Sequence, residues 1–449
     1  MNISTKQIIA SIAIGIVIAI TSSSLYMVNT GDYYRATFPF LDDIIRFTKE
    51  MPHSLPMKDD IGSIFSYGYK SSYNYLVYSY AMLIRTFTNN FNLFLYSFIL
   101  KLIYIYILTI LFSKINKINN TFLKFILFLT CLLPMISSSN LAFFGSFYQE
   151  QVLLIFMPIL IISTFSNQKS SILLAFVSVL IISTSKSQFF YLPVLIAFYY
   201  LIFNRELLTL KISLMTLSFI IAITCIATTN STVEYNKYHS EYFGVYEYEK
   251  INGIELPKWV DNDCVGIDSS GNRFDIEKGV TQTNIGENCF NKHTDASFKR
   301  SISEFIKHPS IIFMLPFDSG VKSQLTENYF HVYKEMDLII NNKGFYYNIT
   351  LIKDLLFKES RFPVLLISLT LSLLFRKHWM SGLVFIASTI GCSQFYMAFF
   401  GEGYRDMSKH LFGMNFSFDV VLFTSIAYLL GRLYCRLIVE QNSSKKRVM

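Results

Sequence analysis

The chain has 449 residues, of which 52% are hydrophobic, 16% aromatic and only 16% charged, with a mean hydropathy of +0.40. A water-soluble protein carries about a quarter charged residues, so the deficit argues for a chain embedded in lipid. The formal charge of +8 is no nucleic-acid footprint, because Lys and Arg lie between apolar runs rather than clustered on one water-exposed face.

In chain order, the first apolar run is Ile8 to Val28, preceded by Lys6. It is too long for a signal-peptide core and has no small-residue cleavage site, so it reads as a retained anchor. The chain then emerges into water at Phe40-Leu41-Asp42-Asp43-Ile44-Ile45-Arg46. Tyr73 to Thr88 is short, aromatic and carries Arg85, which suits an interfacial helix. Further apolar runs lie near 91–113, 121–138, 150–166, 170–184, 188–204, 207–229, 361–375, 379–398 and 411–436.

With Tyr73–Thr88 lying flat, every short basic loop falls on one side of the membrane. These are Lys6; Lys114, Lys117 and Lys124; Lys169; Arg205 and Lys211; Arg376 and Lys377; and the tail Lys445, Lys446 and Arg447. Excess Lys and Arg mark the cytoplasmic side, so the expectation is ten spans with both termini inside. The other side receives loop 29–90, the turn Gly145–Glu150, the turn Ser185–Gln188, the polar region 230–360 and the turn Gly401–His410. The expected fold is an all-α polytopic membrane protein with about ten transmembrane helices and one extracytoplasmic mixed domain. Its parts are an N-terminal transmembrane module 1–229 with the first outer loop 29–90, a soluble domain 230–360, and C-terminal helices with a tail, 361–449.

Region 230–360 is long enough for a small core of its own. It holds turn material (IDSSGNRFD, TNIGENCFNKH) and an amphipathic helix from Phe298 to Phe313, interrupted at His308-Pro309. Glu327–Phe357 reads as amphipathic helices returning to the membrane surface. Cys264 and Cys289 lie here without zinc-site spacing, and outside the cytoplasm they suit a disulfide. The other four cysteines, Cys131, Cys225, Cys392 and Cys435, lie in apolar runs and read as small hydrophobes.

The polar clusters carry two readings each. Asp42 and Asp43 are either a solvated pair capping a helix Asp43–Met51 or a general base for an acceptor hydroxyl. Glu150 is either an interfacial residue or a second acid facing a cavity. Lys186 and Gln188 interrupt an otherwise apolar stretch, so Lys186 either snorkels or meets the phosphate of a lipid-linked donor. Glu402, Arg405, Asp406, Lys409 and His410 form either a charged outer turn or a cradle. In the cradle Arg405, Lys409 and His410 neutralise a phosphate leaving group and Asp406 orients them. Arg405 with Lys409, and Asp406 with His410, would share helical faces. Asn415 and Asp419 lie within an apolar run and should face the interior. The sequence has no Gly-rich phosphate loop, HExxH pair or GxSxG elbow.

Leu41-Asp42-Asp43, Ser185-Lys186-Ser187-Gln188 and Lys409-His410-Leu411-Phe412 with Asn415, set in this architecture, resemble the GT-C class of polyprenyl-phosphate-sugar-dependent glycosyltransferases. Within it, the chain is similar to the phage-encoded serotype-converting O-antigen glucosyltransferases. The resemblance implies Asp42 or Asp43 as base, with Lys186 and Arg405 at the donor phosphate. It also implies a sugar on undecaprenyl phosphate as donor and a lipid-linked O-antigen unit as acceptor. The active face would be the periplasmic side of the bacterial inner membrane. Metal use in the class varies, so a divalent metal stays open as a cofactor. The rival readings are an O-antigen polymerase or ligase, and a polysaccharide flippase or transporter. No nucleic-acid partner is expected.

Overall fold

The computed structural model describes residues 5–51, 53–116, 118, 120–229, 232–275, 279–331 and 336–448. Among the described residues, four helices are long and apolar enough to cross a membrane: Leu93–Ile115, Leu208–Ala227, Ser381–Glu402 and Phe412–Arg436. A fifth crossing is added if the bent pair Thr121–Ile136 and Ser138–Phe144 counts as one span. Shorter apolar helices, Gln7–Thr21, Gln151–Ser163, Lys169–Ser185, Ser187–Phe203 and Arg361–Leu374, occupy the other apolar runs.

Local chemistry sets where these helices start and bend. The Asn92 side chain accepts from the Leu95 amide and opens Leu93–Ile115, and Asn120 does the same for the helix at Thr121 through Leu123. The bent pair turns by 74° at the extended residue Ser137, past a tight turn Leu133–Ile136 where Pro134 ends the α-helical hydrogen-bond ladder. Carbonyls freed there must find donors in an apolar setting. Tyr104 Oη donates to Met135 O at 2.9 Å, and Lys353 Nζ donates to Pro134 O at 3.2 Å.

Lys353 is the centre of a largely buried ion network. Its ammonium lies 2.6 Å from Glu327 Oε2 and 2.6 Å from Asp419 Oδ2. Arg361 bonds Glu327 at 2.9 Å and Asp354 at 2.7 Å. Ser139 and Asn140 donate to Glu327 and Asp419 at 2.6 and 2.8 Å. Charges this deep persist only when paired and hydrogen-bonded. The network ties Phe345–Phe357, Arg361–Leu374 and the last long helix to the short helix Ser138–Phe144. Asn415 and Asp419 are buried, as expected for polar groups inside a span.

Region 230–360 has a small aromatic core of its own, Tyr238, Tyr242 and Tyr246 with Val260 and Val265, closed by a Cys264–Cys289 disulfide with Cα atoms 5.5 Å apart. Its main helix runs through Thr232–Ser240, a wider π turn at Glu241–Val245, and Tyr246–Ile251. The interrupted helix appears as Phe298–Lys307 and Ser310–Met314, separated at His308-Pro309. Two expectations fail. Asp43–Met51 is not helical, because its backbone is used in tertiary bonds: Phe47 N donates to Asn29 O at 2.9 Å, and Asn29 Nδ2 donates to Ile44 O at 2.8 Å. Among the described residues of Glu327–Phe357, helix begins only at Phe345. Before it lie short strands, of which Ile339–Ile340 pairs antiparallel with Tyr26–Met27.

Candidate functional site

A cavity of about 1400 Å³ opens where the first outer loop, the Lys186 turn, region 230–360 and the 401–410 turn converge. Backbone geometry explains the convergence at two points. Gly31, at φ +109°, turns the chain so that Asp32 and Arg35 enter the lining. Gly403, at φ +60°, packs backbone to backbone on the π turn, and a Cβ there would lie 2.3 Å from Phe243 O. Tyr404 N donates to Phe243 O at 3.1 Å, and His239 Nδ1 reaches Glu402 Oε2 at 3.2 Å. The wider turn thus seats the polar 401–410 segment against region 230–360, in keeping with the tendency of π bulges to sit at functional sites.

The polar end is predominantly cationic. Arg35, Arg46, Lys186, Arg405 and Lys409 are the Arg and Lys side chains among its described lining residues, against the carboxylates Asp32, Glu402 and Asp406. Lys409 Nζ lies 3.1 Å from Asp32 Oδ2 and 4.9 Å from the centre of the Tyr148 ring. Arg35 Nη2 lies 3.3 Å from Asp32 Oδ1. Burial favours a neutral Asp32, but Lys409, Arg35 and Lys186 outweigh it and hold the carboxyl well below its ordinary range. Lys409 moves the other way: burial opposes its charge, and Asp32, Tyr148 and Asp406 more than offset that.

Behind this pair, Lys186 Nζ donates to buried Glu150 Oε1 at 2.5 Å and lies 3.4 Å from His410 Nδ1. Gln188 Oε1 is also 3.4 Å from His410 Nδ1, and Gln188 Nε2 donates to Gln394 Oε1 at 3.1 Å. Burial, then the Lys186 charge, pushes the His410 imidazole down to about 4, so it is neutral at physiological pH. Arg405 pairs with Asp268 at 3.3 Å, and Asp406 with His331 at 3.3 Å.

The rest of the cavity is apolar. Phe190, Ile223 and Ile226, Phe298, Ile302 and Phe305, and Tyr396 and Phe400 form its trough. Ile223, Ile302 and Ile306 keep large exposed faces, so the trough is open rather than sealed. A cationic head continuous with an open apolar trough accommodates an anionic amphiphile.

Of the residues singled out from sequence, Lys186, Gln188, Arg405, Lys409 and His410 line this one cavity. Glu150 sits just behind the wall, held by Lys186. Asp42 and Asp43 do not join them: both are exposed, neither lines the cavity, and Asp42 lies 4.0 Å from Lys58. The first-loop carboxylate that lines it is Asp32, which sequence reasoning passed over, as it did Arg35, Tyr69 and His331. Its available signal was the step Gly31-Asp32 with Arg35 three residues on. The shared helical faces also do not form, because Asp406 is left-handed at φ 44° and the helix begins only at Met407.

Fold and cavity together define a multi-pass membrane protein with a large amphipathic pocket. The family model described as the YfdI N-terminal transmembrane domain matches residues 19–448, and the chain belongs to that family. The uncharacterized protein YfdI of Escherichia coli (strain K12) is 43% identical over 421 residues, 94% of this chain and 95% of that protein. No solved structure matches the chain.

Proposed function

We propose that this protein is a GT-C-type glycosyltransferase. It moves a hexosyl group, glucosyl in the narrower reading, from a polyprenyl phosphate to lipid-linked O-antigen or a related surface polysaccharide. The observation that carries the reading is the continuity of the cationic head with the apolar trough: the phosphate sits among Lys186, Arg35 and Lys409, and the polyprenyl chain leaves along the trough. In this reading the apolar helices make ten crossings of the bacterial inner membrane, and the cavity faces the periplasm. The domain 230–360 selects the acceptor.

Asp32 takes the role that the sequence suggested for Asp42 or Asp43. The acceptor oxygen attacks the anomeric carbon, the bond from that carbon to the phosphate oxygen breaks, and the hydroxyl proton passes to Asp32. A phosphate seated beside Asp32 shares the cations that otherwise suppress its basicity. The same cations stabilise the departing phosphate.

The test is transfer from glucosyl-labelled undecaprenyl phosphate by the purified full chain, with lipid products resolved by thin-layer chromatography. Asp32→Asn should lower transfer at least about 100-fold, while Asp42→Asn and Asp43→Asn retain it, with polyprenyl monophosphate released. Full transfer by Asp32→Asn refutes the base assignment. Use of a diphosphate-linked donor instead favours the polymerase or ligase.

A further inference from the structure

Outside the cavity's polar end, a second cluster of ligand-bearing side chains joins the main helix of region 230–360 to the helix that walls the trough. Glu249, Glu304 and His308 each bring one ligand atom to within 4.8 Å of the other two. Glu249 is fully buried, and neither of its carboxylate oxygens has a hydrogen-bond partner. An unpaired buried carboxylate is strongly disfavoured, and an unmatched ion is a ready explanation for such a group. Glu304 is also buried, and its one ion pair is with the largely exposed Lys307 at 2.7 Å. His308 follows Glu304 by four residues at the helix end, where its backbone N–H donates to Glu304 O at 2.8 Å, and Pro309 stops the helix there.

We propose that Glu249, Glu304 and His308 bind one divalent transition-metal cation, zinc or manganese. Two carboxylates and an imidazole form a donor set suited to these ions, with water completing the sphere. Lys307 leaves Glu304 for solvent when the cation arrives. The other candidate cluster, Asp261, Cys264 and His293, is ruled out because Cys264 is spent in the disulfide. The cation acts as a tether. It fastens Phe298–Lys307, which presents Ile302 and Phe305 to the trough, onto Tyr246–Ile251. The site stands apart from the transferase reading and is tested without activity.

The experiment uses the untagged full chain in detergent, stripped with EDTA, desalted and titrated with zinc chloride or manganese chloride. Bound metal is counted by mass spectrometry, and Tm is followed in parallel. The wild-type protein should retain one equivalent after desalting, with Tm raised by at least about 2 °C. Glu249→Gln and His308→Gln should each lose both effects, while the exposed-site control Glu234→Gln keeps them. Wild-type protein that takes up neither metal overturns the proposal without reference to any variant. So does a well-folded Glu249→Gln or His308→Gln protein that retains the full equivalent.

Discussion

Lys186 and Glu150 show how much one residue can carry in this protein. The Glu150 carboxylate is about 1% exposed, and Lys186 is its ion-pair partner. Removing one member of a buried pair leaves the other charge unmatched, at a cost of roughly 3–5 kcal/mol. Lys186→Met should therefore destabilise the protein by about that amount in denaturant unfolding, and adding Glu150→Gln should recover most of the loss. If the single and double variants are equally unstable, the Coulombic account of the pair fails. The same pair shows what sequence can disclose about a site. A lone Lys inside an apolar stretch had to meet an anion or water, and that much was legible. That its anion is Glu150, thirty-six positions earlier, depends on tertiary packing that no local pattern encodes. The adjacent acids Asp42 and Asp43 stand out as a pair, whereas Asp32 is a single acid whose sequence signal is only the glycine before it and Arg35 three residues on.

At the scale of elements, the contact between the 401–410 turn and the π turn organises the pocket. Gly403 combines a left-handed backbone with an approach too close for any side chain. Gly403→Ala should cost about 2 kcal/mol or more, read as a fall in Tm, whereas Gly253→Ala, with open space around its Cβ position, should cost less. Equal losses would remove the contact from this account. The long apolar helices were readable from hydropathy alone, as was the break at His308-Pro309. The strands before Phe345 were not readable, because a two-residue pairing with Tyr26–Met27 is decided by a partner more than three hundred residues away. The π turn was likewise invisible, since its extra residue is accommodated by Gly403 on another element.

Over the whole molecule, the arrangement of basic loops makes a topological prediction. Single cysteines at Asp43 and Asp60, both exposed, should react with a membrane-impermeant maleimide added to intact spheroplasts. Cysteines at Lys169 and Arg376, also exposed, should react only after lysis. Labelling of Lys169→Cys before lysis would break the ten-crossing scheme. The buried network around Lys353 bears on how such a molecule is assembled. Asp419 lies in the last long helix, sixty-six positions after Lys353, whereas Glu327, the other carboxylate on Lys353, precedes it in the chain. Asp419 enters hydrocarbon at low cost only by docking onto helices already in place. The last long helix therefore completes an ion network begun earlier in the chain, adding a second carboxylate to a lysine that Glu327 already pairs.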